Sequence, residues 1–339
     1  MWSNKLVKSI FSAPTTVNLE ITELCNAKCT HCYNYWRDDS IGVETLTAAK
    51  FDLIIDQLER AGVFHVILSG GEPFTKFDLL EYGFKRLSDS NISVSCNSHL
   101  MLATDDKIKR LVDVGVDHIL TSLHSHISSV NDQVFNKIGA HEKVIRGIEV
   151  AIRNGMRVSA NMVVTRVNES HVYETGMLAN SLGCQKIFGT RGVPPVYQDS
   201  SNNQEYALTR EEVMETLDQL IRIKEETGIM IGTLVSYPIC MLGDLEKYQD
   251  FVGRGCPSQS GHRMSINANG NIHACVHEEN HYGNIFENSL TRVYQERMKF
   301  WHDGSLRYPG CEGCEYIDIC DSGCSMSALA KYGEMSASD

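Results

Sequence analysis

The first two-thirds of the chain alternates short apolar runs with longer stretches in which apolar residues recur at every third or fourth position. The short runs are rich in Val and Ile and predict parallel strands that are buried on both faces. The longer stretches predict helices that bury one face, as Phe51, Ile54 and Leu58 illustrate. The predicted strands are Val17–Thr22, His65–Gly70, Ile92–Ser98, His118–Leu123, Arg157–Val164 and Lys186–Val193, and the predicted helices are Thr47–Ala61, Phe77–Leu87, Asp105–Val114, Glu142–Arg153, Glu169–Leu182 and Arg210–Thr227.

Residues at the ends of the predicted helices support these boundaries. Gly62 and Gly228 each follow a helix directly, where a left-handed cap favours glycine. Thr209 and Glu212 form a capping-box pattern at the head of the helix Arg210–Thr227. Six strand–helix units predict an α/β fold, a partial (β/α)6 TIM-like barrel. A doubly wound open sheet has the same alternation and is the alternative.

After about residue 230 the pattern changes, because cysteines and glycines become frequent and helical periodicity thins out. A short hairpin is predicted around Met264–Cys275. We therefore predict two domains. Residues 1–229, with an N-terminal tail over residues 1–16, form the barrel, and residues 230–339 form a small irregular cysteine-rich domain. A region with so little apolar periodicity needs bound metal for its stability.

Charge and composition exclude several classes of protein. Of the 339 residues, 43 are acidic and 31 are basic, which gives a net charge of −12. That charge repels a phosphate backbone, so no nucleic-acid partner is expected. No apolar run reaches the length of a membrane helix, and the first residues lack a signal-peptide pattern, so we expect a cytoplasmic protein with no membrane partner. Twelve cysteines in a reducing compartment predict metal binding rather than disulfides.

The first chemical motif is a group of three cysteines, Cys25, Cys29 and Cys32, on a loop after the first predicted strand. Three thiolates at this spacing can bind one inorganic centre and leave one coordination position open. A structural zinc ion prefers four ligands, whereas an iron–sulfur cluster with three thiolates keeps one iron available for a ligand. The motif alone leaves both metals possible.

The second motif, Gly70-Gly71-Glu72-Pro73, ends the second predicted strand, at the edge where barrel active sites are built. Two glycines allow the backbone to approach a ligand closely, and Glu72 offers a carboxylate to an ammonium group. Taken alone, the motif is equally typical of a strand-ending turn.

The order and separation of the two motifs resemble the radical S-adenosylmethionine (radical SAM) superfamily. The resemblance implies a 4Fe–4S cluster on Cys25, Cys29 and Cys32, with S-adenosylmethionine bound to its fourth iron. It implies that His31 packs near the adenine and that Glu72 accepts from the methionine amino group. The implied cofactor-binding residues are His31, Tyr33, Gly70, Gly71, Glu72 and Pro73, with Asn97, Ser122, Asn161 and Arg191 as further polar candidates at or near strand ends. Cys96 is a candidate hydrogen donor.

The remaining cysteines are similar in layout to the SPASM extension of radical SAM enzymes, which carries auxiliary 4Fe–4S clusters. The similarity implies one cluster on Cys256, Cys275 and Cys324, and a second on Cys311, Cys314 and Cys320. We assign Cys240 as a fourth ligand of the first cluster, with a buried thiol as the alternative. One zinc site on the last four cysteines is another alternative. The family pattern has a further cysteine beyond the position of Cys324, and the sequence reaches Asp339 without it. We therefore expect either a truncated chain or a second auxiliary cluster with an open or non-cysteine ligand.

The resemblance predicts a radical SAM/SPASM enzyme that reductively cleaves S-adenosylmethionine to a 5′-deoxyadenosyl radical and abstracts hydrogen from a substrate. We predict a ribosomally made peptide as that substrate, crosslinked or otherwise modified, and an electron donor such as a flavodoxin or ferredoxin. One alternative is a small-molecule epimerase, dehydrogenase or decarboxylase that acts on a sugar or nucleoside. The other is a non-enzymatic iron–sulfur or zinc protein.

Overall fold

The computed structural model describes residues 11–34, 43–195, 206–253 and 255–339, so most of the predicted tail, residues 1–10, lies outside the described residues. The strands in these ranges lie close to their predicted positions, and four further strands come after residue 229. They are Thr16–Glu20 (β1), His65–Ser69 (β2), Ser93–Asn97 (β3), His118–Ser122 (β4), Arg157–Val164 (β5), Lys186–Arg191 (β6), Met230–Gly232 (β7), Arg263–Ile266 (β8), Asn271–His273 (β9) and Gly283–Asn284 (β10).

Helices follow the strands in the first two-thirds of the chain and become short thereafter. They are Ala48–Ala61 (α1), Phe77–Asp89 (α2), Asp105–Asp113 (α3), Ser128–Phe135 (α4), Ala140–Arg153 (α5), Val172–Ser181 (α6), Arg210–Thr227 (α7), Ile239–Leu242 (α8), Leu290–Arg292 (α9), Lys299–His302 (α10), Ile317–Cys320 (α11) and Ser325–Tyr332 (α12). The capping box predicted at Thr209 and Glu212 is confirmed. Gly62 and Gly228 cap α1 and α7 in the left-handed conformation, as predicted.

The strands form one sheet in the order β10-β9-β8-β1-β2-β3-β4-β5-β6-β7. Strands β1 to β6 are adjacent in chain order and all pair in parallel. A doubly wound sheet requires a reversal of strand order, and β1 to β6 have none. Because each crossover is right-handed, a sheet wound in one direction places its helices on a single face. The predicted partial barrel is therefore confirmed.

The two faces of this sheet differ in polarity. Side chains alternate along a strand, so Val17 and Leu19 lie on the face opposite to Asn18. Val17 and Leu19 are fully buried in the hydrophobic core together with helix residues such as Phe51. On the other face, Asn18 donates to the Ser69 hydroxyl at 2.9 Å. This polar inner face ends at the carboxyl edge of the strands, where the sequence motifs lie.

The sheet continues across the predicted domain boundary. Strand β7 pairs in parallel with β6, and β8 pairs in parallel with β1. The predicted hairpin is confirmed, because β8 and β9 are antiparallel. The division of the chain into two domains near residue 230 stays a prediction. Within the described ranges, none of the helices combines the length and the apolarity that crossing a bilayer requires.

Candidate functional site

The cysteine loop begins at the end of β1 and lies directly against the Gly-Gly-Glu-Pro motif. The backbone N–H of Gly71 donates to the carbonyl of Thr22 at 2.7 Å, and that of Glu72 donates to the carbonyl of Leu24 at 2.7 Å. Residues 22–24 immediately precede the first cysteine of the loop. The two motifs, although they are separated by nearly forty residues, therefore form one backbone-bonded unit at the carboxyl edge of the sheet.

This contact explains the two glycines. A Cβ atom at Gly70 would lie 2.3 Å from the carbonyl oxygen of Thr22, and one at Gly71 would lie 2.3 Å from that of Leu24. The Gly70 backbone also has a φ of +153°, which residues with a Cβ atom rarely adopt. No other residue fits at either position without moving the backbone that leads into Cys25.

The Glu72 carboxylate is buried and organised by hydrogen bonds from the chain itself. Its Oε1 accepts from the Phe74 N–H at 3.0 Å and from the Ser98 hydroxyl at 2.7 Å. Its Oε2 accepts from the His99 N–H at 3.0 Å and lies 3.2 Å from His99 Nε2. These bonds hold the carboxylate in one orientation, and its contact with a methionine amino group stays a prediction.

His99 connects the Glu72 carboxylate to the cysteine loop, and the sequence analysis missed it. Its Nδ1 accepts from the Met101 N–H at 3.1 Å, so in the neutral ring the hydrogen is on Nε2. That nitrogen lies 2.7 Å from the side-chain oxygen of Asn26, a residue that stands between the first two cysteines of the loop in the sequence. The only signal in the sequence was a polar pair, Ser98-His99, directly after the third strand.

The other side of the cysteine loop is held by α4, a helix that we did not predict. The N–H groups of Lys28 and Thr30 donate to the carbonyls of Phe135 and Val134 at 3.2 and 2.9 Å. At the end of the loop, the Asn34 amide donates to the Gly70 carbonyl at 3.3 Å. The loop is thus fixed by β2, by the segment after β3 and by α4.

The three thiols of this loop are partly exposed, on a backbone that is tied down on several sides. The Cys32 N–H donates to the Cys29 carbonyl at 3.2 Å, which closes a tight turn between these two ligand positions. Three cysteine thiols on a fixed loop, with access from one side, fit a 4Fe–4S cluster that keeps one iron available. Their assignment as ligands stays a prediction.

His31 and Tyr33 extend from the loop toward different parts of the molecule. The His31 ring packs edge-on against the His124 ring, with 4.7 Å between the ring centroids. His124 is fully buried, and burial, with a smaller effect from His31, lowers its pKa well below the ordinary value. The Tyr33 ring lies 4.9 Å from that of His277, which follows Cys275 by two residues. Tyr33 therefore borders the cysteine-rich region, and the cofactor contacts of both residues stay predictions.

Three of the polar candidates occupy the inner face of the sheet. Asn97, Ser122 and Asn161 are half-buried there, and Ser122 and Asn161 are neighbours in the register of β4 and β5. The Asn161 side-chain oxygen accepts from the Thr190 hydroxyl at 2.6 Å. All three are partly exposed on this face, and their cofactor contacts stay predictions.

Arg191 and Cys96 are surrounded by groups of the chain itself. The Arg191 guanidinium is bound by the chain's own Asp339 carboxylate and by the Ser236 carbonyl, so a carboxylate partner is already present. Cys96 is fully buried on the core face of β3, opposite to Asn97. Burial raises the pKa of its thiol, and the nearby Glu72 charge adds to the effect. Neither placement supports the predicted role in cofactor binding or hydrogen donation.

Two side-chain hydrogen bonds bring together the first group of C-terminal cysteines, Cys256, Cys275 and Cys324. The Ser258 hydroxyl donates to the Ala274 carbonyl at 2.6 Å, and the Gln259 amide donates to the Gly323 carbonyl at 3.1 Å. Burial raises the pKa of the Cys256 thiol to about 12, and the neighbouring Cys324 adds to this. The structure therefore assembles the three cysteines that the family resemblance grouped together.

The second group, Cys311, Cys314 and Cys320, lies on a chain of turns before α12. The Cys314 N–H donates to the Cys311 carbonyl at 3.0 Å. Cys240 is predicted to join the first group. The N–H of the preceding Ile239 donates to the Cys320 sulfur at 3.4 Å, and the ligand role of Cys240 stays a prediction. Over the described part of the chain, no three cysteine, histidine or carboxylate side chains are close enough to share a single metal ion.

Comparisons with known proteins agree with this geometry. The family model of the radical SAM superfamily matches residues 19–179. The chain is 25% identical over 344 residues to a PqqA peptide cyclase of Bradyrhizobium diazoefficiens, covering 97% of this chain and 86% of that protein. It is 24% identical over 343 residues to an AdoMet-dependent heme synthase of Methanosarcina barkeri, covering 95% and 94%. Its fold is similar to that of Streptococcus suis SuiB bound to the precursor peptide SuiA, with a TM-score of 0.72, 18% identity and coverage of 98% of this chain and 76% of that one.

A parallel sheet wound in one direction, with a three-cysteine loop bonded to a Gly-Gly-Glu-Pro turn at its carboxyl edge, defines a radical SAM core. Residues 19–179 of the chain match the radical SAM family model, and together with the relatives this match indicates a radical SAM enzyme. A 4Fe–4S cluster and S-adenosylmethionine are the cofactors of this class. The predicted resemblance and the prediction of an enzyme are confirmed.

Proposed function

We propose that this enzyme modifies a ribosomally made peptide by removing a hydrogen atom from an unactivated carbon. The observation that carries the proposal is the polar inner face of the sheet, which leads to the cysteine loop at the carboxyl edge of the strands. A substrate that lies along this face has its reacting carbon beside the cofactor position. When bound, the cluster and S-adenosylmethionine supply the radical that removes the hydrogen atom.

The residues of the chain contribute orientation and exclusion of water. Asn97, Ser122 and Asn161 offer amide and hydroxyl groups that fix a ligand by hydrogen bonds. The core face behind them is closed to solvent, because Val158 and Ala160 of β5 are fully buried. A site with an apolar layer behind it and polar groups in front protects a radical from competing hydrogen donors and keeps the substrate in one orientation.

A peptide substrate is favoured by the relatives that match nearly the whole chain. The name of the PqqA peptide cyclase indicates a peptide substrate, and SuiB was crystallised with the precursor peptide SuiA. We further propose that the C-terminal cysteines hold one or two auxiliary 4Fe–4S clusters and that a flavodoxin or ferredoxin delivers the electron. The first cysteine group adjoins the cysteine loop, since Tyr33 packs against His277, two residues after Cys275.

The test is anaerobic reconstitution with iron and sulfide, followed by incubation with S-adenosylmethionine, a reductant and candidate precursor peptides encoded near this gene. We expect 5′-deoxyadenosine to form faster with the cognate peptide, and the peptide to lose two hydrogen atoms by mass if a crosslink forms. Cofactor cleavage with no change in any peptide would contradict the peptide assignment.

A small-molecule substrate is the second candidate, and the match to the AdoMet-dependent heme synthase over nearly its full length favours it. The same reconstituted enzyme separates the two. If a porphyrin or another small molecule accelerates 5′-deoxyadenosine formation and is itself converted, while the peptides are not, the second candidate is correct.

A further inference from the structure

Cys240 belongs to the short helix α8, whose first residue, Ile239, contacts the second cysteine group, which consists of Cys311, Cys314 and Cys320. The N–H of Ile239 donates to the Cys320 sulfur at 3.4 Å. Cys240 directly follows Ile239, and consecutive Cα atoms are only about 3.8 Å apart, so the backbone of Cys240 lies close to the Cys320 thiol. Hydrogen bonds from a backbone N–H to sulfur are also a means by which proteins stabilise the thiolates of iron–sulfur clusters.

The second group is held in one arrangement by backbone bonds. The Cys314 N–H donates to the Cys311 carbonyl at 3.0 Å, the Ile317 N–H donates to the Cys314 carbonyl at 3.2 Å, and the Cys320 N–H donates to the Tyr316 carbonyl at 2.9 Å. Cys320 is therefore fixed by its own turn and contacted by the first residue of α8.

The first group, Cys256, Cys275 and Cys324, is assembled by separate contacts. Its bonds join the 258–259 segment to Ala274 and Gly323. Cys240 is exposed, as Cys314 is, whereas Cys256 and Cys324 are buried. Exposure does not sort the two groups, since Cys320 is buried as well, so the contact of Ile239 with Cys320 is what separates Cys240 from the first group.

We propose that Cys240 is the fourth thiolate of the second group and that these four cysteines together hold one iron–sulfur cluster. The inference rests on the auxiliary clusters of the proposed function. Four thiolates complete the usual ligand set of a 4Fe–4S cluster, so this cluster has no iron left open for a substrate. The second cluster then serves electron transfer or stability rather than substrate binding.

The experiment compares iron and sulfide content and the electron paramagnetic resonance spectrum of reconstituted variants. We expect wild-type protein to hold about twelve irons, four for each of three clusters. Cys240→Ala and Cys314→Ala should each lose the same spectral component. The double variant Cys240→Ala/Cys314→Ala should lose no more than the single ones, because both residues bind one cluster. Cys240→Ala/Cys256→Ala should lose two components, because its residues bind different clusters.

The outcomes separate the possible errors. If Cys240→Ala/Cys256→Ala matches Cys256→Ala alone, Cys240 belongs to the first group and the inference is wrong. If wild-type protein holds about twelve irons and Cys240→Ala keeps them all, Cys240 is no ligand and the inference alone fails. If wild-type protein holds only about four irons, or binds zinc at the second group, the auxiliary clusters of the proposed function fail as well.

A second measurement does not depend on variants that fold. In wild-type protein, alkylation by iodoacetamide should modify Cys240 only after the clusters have been removed, although the residue is exposed. In the iron analysis, Met241→Ala, at the next position of α8, is the matched control for Cys240→Ala and should retain all the iron. Rapid alkylation of Cys240 in fully loaded protein would overturn the assignment.

Discussion

The cysteine loop at the end of β1 and the C-terminal cysteine region are built by different means. The loop is held mainly by backbone bonds from elements of the sheet core, such as those from Gly71 to Thr22 and from Thr30 to Val134. The C-terminal region brings its first group together by two side-chain bonds, from Ser258 and Gln259. The difference shows that backbone bonds within the fold shape the first site, whereas side-chain bonds join the segments that carry the first C-terminal cysteine group.

Secondary structure reinforces this contrast. Around the loop, helices such as α1 are 14 residues long and bury a full apolar stripe. In the C-terminal region, α8, α10 and α11 are only 4 residues long. Helices this short have little stability of their own and depend on tertiary contacts. The three predictions below test the contrast.

The largest effect is expected from removing one thiol of the loop. Cys29→Ala should reduce S-adenosylmethionine cleavage to the background rate, because the cluster that binds the cofactor loses a ligand. Cys314→Ala, the matched change in the other region, should retain cleavage and lose product formation. Quantification of 5′-deoxyadenosine and of modified substrate by liquid chromatography checks both. If Cys314→Ala also abolished cleavage, the two regions would not be functionally separable.

The next effect concerns the glycine contact under the loop. Gly70→Ala should destabilise the protein by about 3 kcal/mol, since its Cβ atom would press on the backbone of Thr22. The control is Gly62→Ala, which also has a positive φ but has no atom within 4 Å of the added Cβ, and it should cost only about 1 kcal/mol. Denaturant unfolding of the two variants measures the difference. Equal losses would show that the close contact is unimportant.

The smallest effect is expected in the C-terminal region. Gln259→Ala should cost about 1 kcal/mol, because it leaves the buried Gly323 carbonyl without this hydrogen bond. The exposed Gln249 provides the control, and Gln249→Ala should be neutral. Hydrogen exchange of the metal-free and the reconstituted protein checks this locally. Gln259→Ala should lose more hydrogen-exchange protection in the metal-free protein, in which the side-chain bond is the main link between the two segments. An equal loss of protection in the metal-free and the reconstituted protein would contradict this prediction.

Much of the barrel was predictable because local patterns agree with the tertiary fold. All six predicted strands formed with ends within about two residues of those predicted, and Thr209 and Glu212 formed the expected capping box. The helix α4 was missed, since it shares its crossover with α5 and exposes most of its first turn. The strand β7 was missed because three residues are too short for a periodic signal.

The candidate site was predictable only in part, for a related reason. Spacing along the chain revealed Cys25, Cys29, Cys32 and the glycine motif, because these residues are close in sequence. The roles of His99 and Asn34 depend on partners that lie 27 to 73 residues away in the chain, and no local pattern reports such contacts. The bond between Ile239 and Cys320 joins residues 81 positions apart, whereas Cys240 and Cys256 are close in sequence.

The sequence by itself determined the alternation of strands and helices, the acidic charge and the two motifs that mark a radical SAM enzyme. These features depend on residue type and short-range spacing, which hydrophobic burial and backbone geometry translate directly into local structure. The tertiary structure alone decided that the glycine motif supports the cysteine loop and that Cys240 lies beside Cys320. Contacts between segments far apart in the chain arise only when the whole sheet and its crossovers have folded, so their partners cannot be identified from spacing.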